Sequence, residues 1–293
     1  MERIVNTTIN IDAKPAGDKK RKSGVGNAIS YLLLSIVGFS MLIPLLFMLS
    51  TSLKDPGSVL EFPPRWIPNP IRWDNYPAAW NAVPIGIYYI NSIFVAVCVT
   101  FGQVFTSALS AYAFARLNFP GRDKLFFGYL ATMMIPGSVT MIPVFILCKQ
   151  LNLVDTYWAL ILPGIFSAMG TFLLRQFFMS LPKELEDAAK IDGCTLFGIF
   201  WRIVLPLSKP SLATLATFTF MGSWGSFLWP LVIINDEYKK TLPIGLASFL
   251  GMHSSDWTLL MAGTMLALIP VIVVFVFNQR FFVEGLQLGA VKG

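Results

Sequence analysis

Six stretches of this chain run without Asp, Glu, Lys or Arg for long enough to cross a lipid bilayer: residues 29–53, 82–115, 125–148, 156–174, 210–235 and 257–279. A spanning helix needs about 20 mostly apolar residues. The fourth stretch is the shortest, and the second outruns a single crossing. Hydrocarbon offers no water to the backbone, so each stretch must pair its own N–H and C=O groups, which predicts helices. None of the stretches alternates apolar and polar residues as a barrel strand would. The pattern predicts an all-α polytopic membrane protein with six transmembrane helices. Its parts are an N-terminal tail (1–27), a membrane domain (28–281) and a C-terminal tail (282–293).

Charge adds an orientation. Asp, Glu, Lys and Arg together make up 13% of the 293 residues, too little for a soluble protein of this size. With the N-terminus placed in the cytoplasm, sixteen of the 22 Lys and Arg residues fall on the cytoplasmic side, including Lys19, Lys20, Arg21 and Lys22. The other six are Lys54, Arg65, Arg72, Lys149, Lys239 and Lys240. An excess of basic residues marks the inside, so both termini are expected there. The pI of 9.2 then reflects membrane orientation, and no nucleic-acid partner is implied. The basic run followed by an apolar stretch fits an uncleaved signal anchor, because no small-residue cleavage site follows. The polar, aromatic-poor residues 1–26 are expected to be largely disordered. Cys98, Cys148 and Cys194 have neither disulfide nor metal spacing.

Between the first two spans lies a loop, 54–83, rich in Pro and in Trp66, Trp73 and Trp80. Proline limits regular structure there, and the tryptophans suit a membrane interface or a docking surface. Pro44, Pro136, Pro143, Pro163, Pro230 and Pro270 fall within the spans and each predicts a kink. The most informative segment is the cytoplasmic loop 181–210, LPKELEDAAKIDGCTLFGIFWRIVLPLSKP. Pro182 suits a first turn, and Glu184, Glu186 and Asp187 sit near the positive end of a helix dipole. Gly193 ends that helix with a residue to which positive φ costs little. Thr195 caps a second helix, 196–205, which Pro206 and Pro210 are expected to terminate. A helical hairpin with a small-residue face and an acidic rim predicts docking to another protein.

The spacing within this loop resembles the EAA motif of ABC-importer permeases: Glu-Ala-Ala, three residues, Gly, nine residues, Ile, one residue, Leu-Pro. Here Asp187, Ala188 and Ala189 are followed by Gly193, Ile203, Leu205 and Pro206, with every gap matched and Asp187 in place of Glu. Glu184, Glu186 and Asp192 complete the expected ATPase-coupling set. Further stretches, MIPGSVTMIP at 134–143, FLLRQFF at 172–178 and the C-terminal GAVKG, resemble the carbohydrate-uptake branch, in particular the smaller maltose-importer permease. The resemblance implies a heterodimer with a second, related permease, two cytoplasmic ATPase subunits, an extracytoplasmic solute-binding protein and a carbohydrate substrate in the inner membrane. It also implies that the hairpin seats in a cleft of the ATPase and that the C-terminal tail can reach the ATPase pair.

The chain carries no GxxxxGK[ST] phosphate loop, so ATP and Mg are expected in the partner subunits, with no cofactor on this chain. Its one His is His253, in a loop, and no catalytic set or metal cluster can be assembled from the sequence; the chain is expected to be non-catalytic. Sugars are held by polar side chains on their hydroxyls and by aromatic rings on their apolar faces. The candidates for a substrate path are Asn91, Gln103, Ser138, Thr140, Thr171, Ser223, Trp224, Ser226 and Trp229. Gly222 and Gly225 beside them leave room for a ligand. Alternative readings remain: a permease for an acidic oligosaccharide, a polyol phosphate or an amino acid, or an ATP-independent channel or secondary transporter. The last would place ionisable groups in the spans, and these have none.

Overall fold

The structure is a computed structural model and describes residues 24–251 and 255–290, with side chains over 26–251 and 255–280. The expected disorder of residues 1–23 and His253 therefore lie outside the described residues. The chain divides into two compact units, Met1–Phe47 and Met48–Gly293. The first unit holds most of helix α1 (Gly24–Ser52), with Pro44 inside it. Residues 24–27, assigned above to the tail, already belong to this helix.

The second unit is helical throughout, and among its described residues the sole β-pairing is a bridge between Leu250 and Ser255. Its helices are α2 (Asn75–Ala82), α3 (Ile85–Arg116), α4 (Arg122–Ala131), α5 (Gly137–Gln150), α6 (Tyr157–Gly164) and α7 (Ala168–Ser180). There follow α8 (Glu184–Ile191), α9 (Leu196–Ile199), α10 (Leu205–Leu207), α11 (Lys209–Trp224), α12 (Leu228–Ile233), α13 (Leu242–Leu246) and α14 (Trp257–Ala290). Among the described residues three helices are long and apolar enough to cross a membrane, or up to six crossings if each bent pair counts as one. The pair α4–α5 bends by 99° and α6–α7 by 40°.

Local chemistry explains the breaks. Pro136 sits where the chain passes from one arm to the next, and as the residue before α5 it has no N–H to continue the helix. Between α6 and α7, Ser167 caps the new helix through Gly170 N at 3.0 Å, while the carbonyl of Ile165, left exposed by the break, accepts the Thr106 hydroxyl from α3. Pro270 lies inside α14 and, having no N–H, leaves the carbonyl four residues earlier without its helical donor. That carbonyl, Leu266 O, accepts the Tyr89 hydroxyl, and Ala267 O accepts the Trp224 indole at 3.1 Å. In hydrocarbon such freed groups must be paired by neighbouring helices.

The loop 54–83 is more ordered than its prolines suggest, since 75–82 form α2. Asn75 explains this: its amide donates to Ser52 O at 2.9 Å and Lys54 O at 2.8 Å and folds the loop back on the end of α1. α3 is the central element. It packs on α6 and α7 through small residues: a Cβ on Gly102 would lie 2.5 Å from Ile165, and one on Gly170 would lie 2.6 Å from Ser107 Oγ. Without lipid-excluded hydrophobic drive, such close backbone approach supplies the van der Waals contact that holds membrane helices together.

Candidate functional site: a hairpin and a cavity

The segment 181–210 folds as the helix–turn–helix its sequence predicts, with one correction. α8 begins just after Pro182, Gly193 takes φ +79°, and Thr195 caps α9 by accepting from Gly198 N at 3.1 Å. The second helix does not stop at 205. It widens into a π-helical stretch, Phe200–Val204, and continues as α10 to Leu207, past Pro206. The wider turn shifts the carbonyl that the Pro206 ring would strike, so proline is accommodated. The turn comes at Ser208, with a 78° bend, and Pro210 lies in the first turn of α11 instead of ending the hairpin.

The predicted coupling residues divide between two faces of α8. Glu184, Asp187, Ala188 and Asp192 are exposed, and Ile191 is 88% exposed at the tip. Asp187 pairs with Lys190 at 2.9 Å, an exposed contact of small energetic weight. Glu186 and Ala189 face the opposite way and are buried. Glu186 forms an ion pair at 2.9 Å with Arg116, the last residue of α3, and only 3% and 10% of the Arg and Glu side chains are exposed. Arg116 also donates to Leu181 O at 2.7 Å and to Phe178 O. Around this pair, Ala108, Ala111, Tyr112, Leu174 and Phe178 meet Ala189, Ile199, Phe200 and Val204, with Ile203 and Leu205 packed at the edge. Tyr112 adds a bond to Leu196 O at 3.2 Å. Arg116 was missed by the sequence reading, since nothing local signals a partner seventy positions away.

A cavity of about 670 Å³ lies between α3, α6, α7, α11 and α12. It brings together Gln103, Ser223, Ser226 and Trp229 of the predicted path, along with Ser92, Ser167, Thr219 and Thr241. Gln103 donates to Thr219 Oγ1 at 2.9 Å, and the Trp229 indole is held by Ala159 O at 3.0 Å. A Cβ on Gly222 would meet nothing within 4 Å, so the glycine does open space there, whereas Gly225 closes the end of α11. Thr219 was missed, although it lies one turn before Ser223 on the same face of α11. Among the described residues lining the cavity none is charged.

Five predicted path residues are not at this cavity. Trp224 turns toward α14, where its indole donates to Ala267 O at 3.1 Å. Ser138 and Thr140 are exposed on α5, and Thr140 bonds its own helix at Gly137 O, 3.0 Å. Asn91 is buried and fully used: it donates to Tyr238 O at 2.8 Å and Lys240 O at 2.9 Å, and accepts from the Tyr157 hydroxyl at 2.8 Å. Thr171 likewise returns its hydroxyl to Ser167 O at 3.0 Å. Each is an ordinary way for a polar group to satisfy itself in an apolar setting.

Asn91 belongs to a second polar cluster, at the amino end of α3. Ser92 Oγ accepts Leu242 N at 2.7 Å, and Tyr88 donates to Glu237. Asp155, at φ 62°, accepts from Asn235 N and Asp236 N at 3.0 Å each and pairs with Lys239 at 3.2 Å. The Asp236 N–H above all, helped by Asn235 and Lys239, holds the Asp155 carboxyl below its usual range. Lys240 and then Tyr88 do the same for Glu237.

Residues 103–287 match the family described as binding-protein-dependent transport system inner membrane component. The chain belongs to this family of transport permease subunits. The permease AraQ of the arabinooligosaccharides transport system of Halalkalibacterium halodurans is 43% identical over 203 residues, covering 69% of this chain and 73% of AraQ. UgpE, the sn-glycerol-3-phosphate transport system permease of Yersinia pestis, is 39% identical over 87% of this chain and 94% of its own. The probable ABC transporter permease YurM of Bacillus subtilis is 34% identical over the whole chain and 96% of its own. In three dimensions the chain is similar to a crystal structure of a bacterial ABC transporter involved in import of the acidic polysaccharide alginate. The TM-score is 0.78 at 24% identity, covering 91% of this chain and all of that one, a likeness of fold.

Proposed function

We propose that the chain is one permease half of a binding-protein-dependent ABC importer that moves a carbohydrate across the cytoplasmic membrane by alternating access. It crosses the membrane six times, each bent pair serving as one crossing except that α9 and α10 stay in the cytoplasmic hairpin, and the fifth crossing is α11 with α12. Both termini lie inside, supported by the sixteen of 22 basic residues on that side. Its partners are a second, related permease, two ATPase subunits that carry ATP and Mg, and an extracytoplasmic solute-binding protein.

The observation that carries the proposal is the outward face of α8. Glu184, Asp187, Ala188 and Ile191 share it at helical spacing, so a small and apolar surface with an acidic edge is presented on a hairpin tied firmly behind. Such a face fits a cleft in a partner protein, and the motif spacing supports the ATPase as that partner. ATP-driven closure of the ATPases displaces the hairpin and turns the cavity toward the binding protein; hydrolysis reverses it.

Carbohydrate is supported by the relatives named for arabinooligosaccharides and by the cavity wall of amide, hydroxyl and indole groups. The name of UgpE favours a second reading, a phosphorylated polyol. An anion would be costly beside this uncharged wall unless the second permease supplied cations, so a neutral sugar fits this half better.

The test is purification after co-expression with the two ATPases and second permease. Co-elution and ATP hydrolysis are expected, and a chain that purifies alone overturns the reading. Gly193→Pro is expected to abolish assembly or to separate hydrolysis from uptake, because proline fixes φ near −65° where the turn needs +79°. Uptake at the wild-type rate by that variant counts against a coupling role for the hairpin.

A further inference from the structure

The hairpin joins α7 to α11 in sequence, yet its buried ion pair runs to a third helix. Arg116 ends α3, a helix not adjacent in sequence, and its guanidinium reaches Glu186 on α8 together with Phe178 O and Leu181 O at the end of α7. Three elements thus meet at one planar fork, which suits a guanidinium and no other side chain. The pair is almost fully buried, and a buried ion pair is weak evidence for stability, since apolar residues of similar volume often do as well. Its value lies in geometry: either charge alone in this site is strongly unfavourable, so the two must remain together through any movement of α8.

We propose that Arg116 and Glu186 are positioning residues, a buried strut that obliges α3 to move with the hairpin. The inference rests on the transporter reading above. The Tyr112 bond to Leu196 O and the shared apolar cluster fasten the second arm of the hairpin to the same stretch of α3. At the other side of the cavity, Gln103 of α3 is bonded to Thr219 of α11. α3, α7, the hairpin and α11 then travel as one body. The cavity walls they supply keep their shape, and access changes where this body meets the second permease.

The experiment uses the full complex with its ATPases, after replacement of the three native cysteines. Spin labels are placed at Phe101 on α3 and Arg202 on the hairpin, both exposed. Their distance is measured by pulsed electron spin resonance without nucleotide and after trapping with Mg-ATP and orthovanadate, with loss of ATPase activity reporting the trapped state. In the wild type the distance is expected to be the same in both states. In Glu186→Gln, which keeps the shape and removes the charge, it is expected to shift by roughly 2 Å or to broaden on trapping. If Glu186→Gln does not assemble, Arg116→Met with Glu186→Met removes both charges together, and the same change is expected from it.

A wild-type distance that changes on trapping overturns the strut. So does an unchanged distance in whichever variant assembles, because a merely structural pair replaced by well-packed methionines leaves the body rigid. A wild-type complex that recruits no ATPase, or hydrolyses ATP without being trapped, overturns the transporter reading instead and is recognised before any distance is read.

Discussion

The two ends of α3 solve the same problem with different chemistry. At its carboxyl end one buried ion pair holds α3 to the hairpin. At its amino end neutral side chains, Asn91 and Ser92, hold the segment 238–242, and the charged groups Asp155, Lys239 and Lys240 stay more open to solvent. A neutral amide can be lost one bond at a time, whereas a buried ion pair fails as a whole. The carboxyl end is therefore built to stay closed, and the amino end to hold by many moderate contacts.

Three substitutions sharpen this contrast. Glu186→Ala leaves Arg116 buried without its carboxylate, and a loss of about 3–5 kcal/mol is expected. Thermal unfolding of the purified complex in detergent reads it; a change within error would mean that the carboxyl end is not the firmer one. Asn91→Leu leaves two carbonyls and the Tyr157 hydroxyl without their partner, for a loss of about 3 kcal/mol. Here the hairpin is expected to keep its ATPases, so co-elution should persist while the unfolding temperature falls.

The smallest effect belongs to Asp155→Asn, below about 1 kcal/mol at neutral pH because the site is partly open to water. Its signature is the pH profile. The Asp155 carboxyl is held below its ordinary value in the fold, so its contribution is present above the unfolded value of about 3.9 and fades as pH falls through the folded one. The wild type should lose this increment of stability in acid below about pH 4, and the Asn variant should show a flatter profile there. Identical profiles would show that Asp155 contributes nothing to holding the loop.

Much of the hairpin was legible in the sequence because its determinants are local. A proline at the start, a glycine at φ +79° and a capping threonine each act within one turn. The apolar stretches were legible for a similar reason, but their continuity was not. The stretch 125–148 reads as one span, yet it bends by 99° around Pro136, and 210–235 is interrupted between Trp224 and Leu228. A hydropathy window sums side chains and is blind to where the backbone turns. The cavity was half legible: Gln103, Ser223, Ser226 and Trp229 line it, while Asn91 and Trp224 spend their polar atoms on carbonyls of distant segments. Whether a polar residue in a span faces a ligand or another helix depends on which acceptors that helix presents. Ala267 O of α14 decided that for Trp224.

Pro270 has a bearing on biogenesis. α14 follows α3 and α11 in the chain; the carbonyl that Pro270 leaves without a helical donor, Leu266 O, is matched by Tyr89 from α3, and the next one, Ala267 O, takes the Trp224 indole from α11. Until α3 stands beside it, α14 carries an unpaired carbonyl into lipid, which is unfavourable by several kcal/mol. Settling α14 in the membrane thus depends on α3: the freed carbonyl can be sheltered only by a helix already in place.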